Sequence, residues 1–260
     1  MNRLKIGVHL ESLNLPLRQA LSEVRRMEIA GVQIDAVGDL SPNKLSQSGR
    51  RELRHLLRSH NLELTAVGCP LRHGLDDAVD QQPRIEHMEK TLALSFDLGP
   101  RIVIVNAGKV PEDVDAPRYQ LLKDALLTLG RVGDRTGTTL ALETGLECGA
   151  LLASFLDRCD TGSLAVNLDA ANLMVNGFDI VESMRALRGR IVHTHLKDVR
   201  RANPSATREV PLGHGDIDWM EFLGVLEEIE YRGWLTIDRE SGEDRLADVT
   251  EGVAFLRRLL

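Results

Sequence analysis

Arg190-Ile191-Val192-His193-Thr194-His195-Leu196-Lys197-Asp198 is a short apolar strand pattern that runs into imidazole, ammonium and carboxylate groups within six residues. Alternation puts Ile191, His193 and His195 on one face and Val192, Thr194 and Leu196 on the other. A strand that ends in such groups reads as one edge of a site. The rest of that site has to come from other strands.

Working outward, apolar runs of about this length recur eight times. They are Leu4 to Leu10, Val32 to Val37, Leu62 to Gly68, Arg101 to Ala107, Thr138 to Glu143, Leu164 to Asp169, Arg190 to Leu196 and Trp234 to Glu240. Helical patterns lie between them, around 15–30, 45–60, 83–98, 116–136, 150–158, 179–188 and 219–231, with a last one from 244 onward. Gly31, Gly99 and Gly233 fall where helices should stop, and Asp218 is placed to cap the helix beginning at Trp219. Strand and helix alternating eight times imply parallel pairing with right-handed crossovers. Count and length fit an α/β fold of one domain over residues 1–260, a single (β/α)8 TIM barrel. An open doubly wound sheet is the alternative, but no GxGxxG follows the first strand. The polar stretch from Val199 to Ile217 is expected to be irregular, a long loop of lid or binding type.

Composition narrows the functional classes. With 32 basic and 39 acidic residues the net charge is −7, which argues against a nucleic-acid partner. The start lacks the apolar core of a signal peptide and no run is long enough to span a membrane, so a cytoplasmic protein with no membrane partner is expected. Cys69, Cys148 and Cys159 form neither an even set nor a CxxC pair and read as reduced thiols.

In a closed barrel alternate residues point inward, and those at the carboxyl ends line the mouth. That rule puts Thr139, Ala141 and Glu143 on one inward face, and likewise Ala165, Asn167 and Asp169; Ile191, His193 and His195; and Thr236, Asp238 and Glu240. The last inward groups are Glu143, Asp169, His195 and either Asp238 or Glu240. Bringing carboxylates together without a cation is costly. One divalent metal removes the conflict, and oxygen ligands with one His suit Mn2+, Mg2+, Co2+ or Zn2+. His193, one layer deeper, is expected to pack or support rather than ligate. His9, Asn106 and Cys69 end other strands and are placed to line the mouth.

Leu142-Glu143-Thr144, Asn167-Leu168-Asp169, His193-Thr-His195-Leu-Lys197-Asp198, the stretch from Pro211 to Trp219 and the stretch from Tyr231 to Glu240 together resemble the xylose isomerase-like TIM-barrel superfamily. That superfamily holds sugar phosphate isomerases and epimerases and also endonuclease IV. The resemblance implies that Glu143, Asp169 and His195 are ligands of one divalent metal. It places Asp238 where a fourth ligand, usually Glu, stands, and leaves open whether the longer Glu240 takes that place. It implies acid and base roles for Glu143 and Glu240 on a carbon next to a carbonyl. Lys197 is then either a donor to a substrate oxygen or the partner of Asp198. His9, Asn106, Asn172, His193 and Arg208 are the candidates for substrate contact, although Arg208 reads more simply as part of a solvated basic patch with Arg200 and Arg201.

Asn172 stands where the family often has His, and Asn106 where the endonuclease branch would want one. Both argue against a phosphodiesterase with three metals. The expected activity is a metal-dependent isomerase or epimerase of a small sugar, keto-sugar or polyol-derived substrate. An inosose or dehydroshikimate-type dehydratase on the same site is the alternative, and an AP-endonuclease-like phosphodiesterase a remote one. A small carbohydrate is the expected partner, with homo-oligomerisation left open.

Overall fold

The computed structural model describes residues 4–203 and 206–260. Eight parallel strands close into a barrel: β1 (Lys5–His9), β2 (Gly31–Asp35), β3 (Glu63–Gly68), β4 (Ile102–Val105), β5 (Thr139–Glu143), β6 (Leu164–Asp169), β7 (Ile191–Leu196) and, after a hairpin, β10 (Trp234–Ile237). β10 pairs with both β1 and β7, which completes the ring. The helices α1 (Leu17–Arg26), α2 (Gln47–Ser59), α3 (Gln81–Leu98), α4 (Pro117–Thr136), α5 (Gly149–Leu156), α7 (Ile180–Ala186), α8 (Trp219–Glu228) and α9 (Arg245–Leu259) follow the strands in turn. A short extra helix, α6 (Ala170–Val175), follows β6 directly and escaped the periodicity because it spans fewer than two turns.

Two large apolar clusters fill the space between strands and helices. One centres on Val8, Val32, Leu196, Leu235 and Phe222, the other on Val103, Leu140, Val166, Leu126 and Phe155. Inside the barrel lies a much smaller apolar cluster of Ala66, Ile104 and Ala141, flanked by Ile102 and Val192.

Three sequence expectations change. A register shift between β6 and β7 pairs Val166 with Ile191 but Asn167 with His193. Val192 is thereby the extra residue of a bulge. It packs inside with Ala66, while Ile191 joins the two outer clusters, so Ile191 does not share the histidines' face. Gly31 does not end a helix; Glu28 takes the left-handed conformation there at φ 54°. Gly31 opens β2, and any side chain on it would run into the Trp234 ring. The stretch after β7 is not irregular throughout. Asp198–Asn203 (β8) and Ala206–Val210 (β9) form an antiparallel hairpin.

Asp198 explains why the sequence after β7 looks as it does. Its Oδ2 accepts from the Gly213 amide at 2.9 Å, the Gly215 amide at 3.0 Å and the Trp219 indole Nε1 at 3.0 Å. One buried carboxylate thus folds the glycine-rich segment back beneath the hairpin. Asp218 then caps α8 through the Glu221 amide at 2.9 Å.

Candidate metal and substrate site

The barrel interior turns polar toward the carboxyl ends of the strands. His193 is fully buried, with Nδ1 2.9 Å from Asn167 Oδ1 and Nε2 3.0 Å from Thr236 Oγ1. Burial, followed by the neighbouring His195 and His9, holds its pKa well below the usual imidazole range, so it is neutral. With no exposed atom and both nitrogens engaged, it cannot touch a molecule in the mouth. The expectation that His193 contacts substrate is corrected by this depth: it is the floor on which His195 stands, ring edge to face at 5.5 Å.

One layer up, donor atoms of Glu143, Asp169 and His195 all lie within 4.8 Å of one another. Strand alternation supplies the inward direction, and the stagger between strands supplies the convergence. Glu143 pairs in register with Asn167, whereas Asp169 pairs with His195. His195 Nδ1 is 2.8 Å from Glu143 Oε1, and its Nε2 is 2.8 Å from Gln33 Oε1. Burial opposes a charge on this ring, but the Glu143 contact and Asp238 raise its pKa.

Lys197 provides the counter-charge. Its buried Nζ lies 2.7 Å from Glu240 Oε1, 3.2 Å from Asp169 Oδ2 and 3.4 Å from Asp238 Oδ2. Burial works against the ammonium, yet these carboxylates raise its pKa, so it stays charged and is no nucleophile. Lys197 therefore does not balance Asp198, its chain neighbour, which faces the glycine-rich segment. Asp169 remains in tension. Burial pushes its carboxyl up to about 6 despite Lys197, and its Oδ2 is buried with no hydrogen bond of good geometry. Asp238 is the opposite case: burial is outweighed by the hydrogen bond from His9 and the charges of His195, His9 and Lys197, which hold it well below the usual carboxylate range.

Asp238 and Glu240 do not share an inward face. β10 ends at Ile237, and Glu240 lies beyond the ladder with its side chain 66% exposed, reaching back to Lys197. Glu209 on β9 holds this turn by accepting from the Glu240 amide at 3.0 Å and the Ser241 amide at 2.9 Å.

The alternation rule applied to the last four strands alone missed a second wing on β1 and β2. His9 Nδ1 is 3.0 Å from Asp238 Oδ1, and its Nε2 is 3.0 Å from Asp35 Oδ1 and 3.1 Å from Glu11 Oε2. Burial would lower the pKa of His9, but hydrogen bonds to Asp238, Asp35 and Glu11 raise it well above the usual range. Its ring stacks parallel to that of His195, centroids 5.9 Å apart. The signal was present in Gln33 and Asp35, which alternate with Val32 and Ile34 in an otherwise apolar strand.

These groups surround a cavity of about 200 Å3 whose walls include His9, Gln33, Asp35, Glu143, His195 and Asp238, with Asn106 and Glu240 at its edge. Leu71, Ile104 and Val105 form its apolar side. Asn106 is exposed and its Oδ1 accepts from the Gly108 amide at 3.3 Å. Asn172 gives its amide to Asp169 Oδ1 at 2.9 Å, and its side chain packs against Gly145 rather than lining the cavity. Arg208 is exposed on β9 opposite Arg200 and is not part of the cavity wall.

Residues 21–259 match the family model for the xylose isomerase-like TIM barrel. The chain belongs to this family. Among curated family relatives, an inosose dehydratase 2 of Bacillus cereus is 23% identical, covering 85% of this chain and 81% of that protein. A putative L-ribulose-5-phosphate 3-epimerase of Haemophilus influenzae is 24% identical over 96% and 94%. Among solved structures, a xylose isomerase domain protein from Planctomyces limnophilus superposes with a TM-score of 0.89 at 24% identity, covering 98% of this chain and 97% of that one. At these identities the structural likeness speaks for the fold. No helix among the described residues is long and apolar enough to cross a membrane.

Proposed function

We propose that this chain is a divalent-metal-dependent isomerase or epimerase of a small sugar, keto-sugar or polyol-derived substrate. The observation that carries the reading is the convergence of Glu143, Asp169 and His195 within 4.8 Å, where Glu143, His195 and Asp238 line a small cavity. The donor set fits a divalent ion. It offers carboxylate oxygens and one imidazole nitrogen, and Asp169 Oδ2 is a buried oxygen that faces the Lys197 ammonium at 3.2 Å without a hydrogen bond of good geometry. Glu143, Asp169 and His195 would hold the ion, with Asp238 as fourth candidate. When bound, it supplies a Lewis acid that offsets negative charge developing on substrate oxygens.

The protein's own groups then divide the work. Glu143 is partly exposed at the cavity and is the base that takes a proton from the carbon next to the carbonyl. Asp238, held anionic by His9, Ser12 and Lys197, orients and does not exchange protons. Glu240, at the open edge of the cavity with its Oε1 on Lys197, is placed to return a proton from another side. Lys197 keeps Asp169 and Asp238 from repelling each other and sets the position of Glu240. The wall of Leu71, Ile104 and Val105 limits water at the reacting carbon.

Dehydration of an inosose or dehydroshikimate-type substrate is the second reading, favoured by the inosose dehydratase relatives. It begins with the same proton removal and ends with loss of a hydroxyl at the next carbon. The deciding experiment is a screen of ketoses and inososes against metal-replete protein by NMR in deuterated water. Deuterium entering next to the carbonyl supports proton abstraction, and a new ultraviolet absorbance from a conjugated ketone marks dehydration. No exchange into any of these substrates would refute the reading.

A further inference from the structure

We propose that the mouth selects an uncharged polyhydroxy substrate and that the His9–Glu11–Asp35 wing is the subsite for its hydroxyls remote from the reacting carbon, so that phosphorylated and carboxylated sugars are excluded. This rests on the reading of the mouth as a sugar site. It goes further by assigning a substrate charge class and a binding role to β1 and β2.

Six carboxylates, from Glu11, Asp35, Glu143, Asp169, Asp238 and Glu240, stand around or just under the cavity. Lys197 is the ammonium among them, buried and held by three of them. A divalent ion together with the Lys197 ammonium would offset three of these six negative charges. No Lys or Arg forms part of the cavity wall among the described residues. The nearby guanidinium of Arg239 is buried and spent on Glu209 and Asp248 at 3.0 and 2.9 Å. A phosphate needs charged or amide donors aimed at it, and this wall offers carboxylate acceptors.

Carboxylate acceptors suit hydroxyl donors. The wing is rigid before any ligand arrives: the Asp35 amide donates to Glu11 Oε1 at 2.9 Å, and His9 is fixed at Nδ1 by Asp238. His9 Nε2 carries at most one hydrogen yet faces both Asp35 Oδ1 and Glu11 Oε2, so acceptor capacity is left over. Glu11 Oε2 shares that His9 Nε2 with Asp35, at 3.1 Å. His9 and Asp35 reach the cavity and Glu11 braces them from behind. The volume, about 200 Å3, is below the roughly 300 Å3 at which drug-sized pockets begin, and suits one small molecule.

The test measures binding, so it does not depend on turnover. D-glucitol and D-glucitol 6-phosphate are titrated calorimetrically into the metal-replete chain. Glucitol should bind roughly ten-fold or more tightly than its phosphate. Asp35→Asn should weaken glucitol, and Asp35→Lys should reverse the preference, with metal content unchanged in both. Equal or tighter binding of the phosphate, or failure of glucitol to bind, overturns the proposal; so does an unaltered preference in folded, metal-loaded Asp35→Lys. Glucitol binding without turnover of any ketose or inosose would instead sink the isomerase reading and leave the charge selection standing.

Discussion

His195 on β7 and Glu143 on β5 meet across the barrel mouth, with Nδ1 2.8 Å from Oε1. Without an ion, the contact is bridged by a proton, and the raised pKa of His195 reflects it. If Glu143 and His195 hold a metal ion, that proton would have to leave. Metal uptake should therefore release protons and weaken as the pH falls. Calorimetry of Mn2+ binding in buffers of different ionisation enthalpy measures the release. Glu143→Gln and His195→Gln should each reduce affinity by at least the roughly 10–100-fold that loss of a mere supporting partner costs. Unchanged metal content in both variants would rule out the site.

Lys197 makes a different prediction. In Lys197→Met the buried Asp169 and Asp238 lose their ammonium, at a cost of about 3–5 kcal/mol without metal. The variant should be far more sensitive to a chelator than the parent chain and should regain stability as Mn2+ is added. Thermal unfolding with chelator and with saturating Mn2+ compares the two. Equal metal dependence in both chains would show that Lys197 does not offset these carboxylates.

Asp198 is expected to matter for folding and not for metal. Asp198→Ala strands the Gly213 and Gly215 amides and the Trp219 indole together, costing about 3 kcal/mol or more. Asp198→Asn keeps an acceptor oxygen and should cost less. Urea unfolding gives the ranking, and metal affinity of the folded variants should stay within about two-fold of the parent.

Glu147 carries a pH dependence away from the mouth. It is buried, accepts from the Val110 amide at 3.0 Å, and burial lifts its carboxyl from the usual 4.5 to about 7. The folded chain thus holds this proton more tightly than the unfolded chain. Its contribution to stability is complete below about pH 4.5 and is lost as the pH rises through about 7. Glu147→Gln keeps the acceptor and cannot ionise. It should be the more stable chain above pH 7, by up to about 3 kcal/mol, and urea midpoints at pH 5 and pH 8 read the difference.

Much of this architecture is legible in the chain itself. Period-two alternation in a closed parallel barrel leaves an inward residue little choice of direction, so Glu143, Asp169 and His195 could be named from their strands alone. The same rule extended to β2 would have named Gln33 and Asp35. It failed where the backbone departs from regular pleating: at Val192, where a bulge swaps faces, and at Glu240, where β10 has already ended.

What the sequence determined by itself was the order of strands and helices and the face on which most side chains lie, because those follow from local periodicity. Which groups meet was decided only by closure of the ring. Closure put His9 of β1 against Asp238 beyond β10, 229 residues later, and turned Lys197 toward Asp169 while its neighbour Asp198 went to the glycine-rich segment. Such pairings depend on strand stagger and on competition for a buried charge's partners, and neither is encoded in the spacing of residues along a single strand.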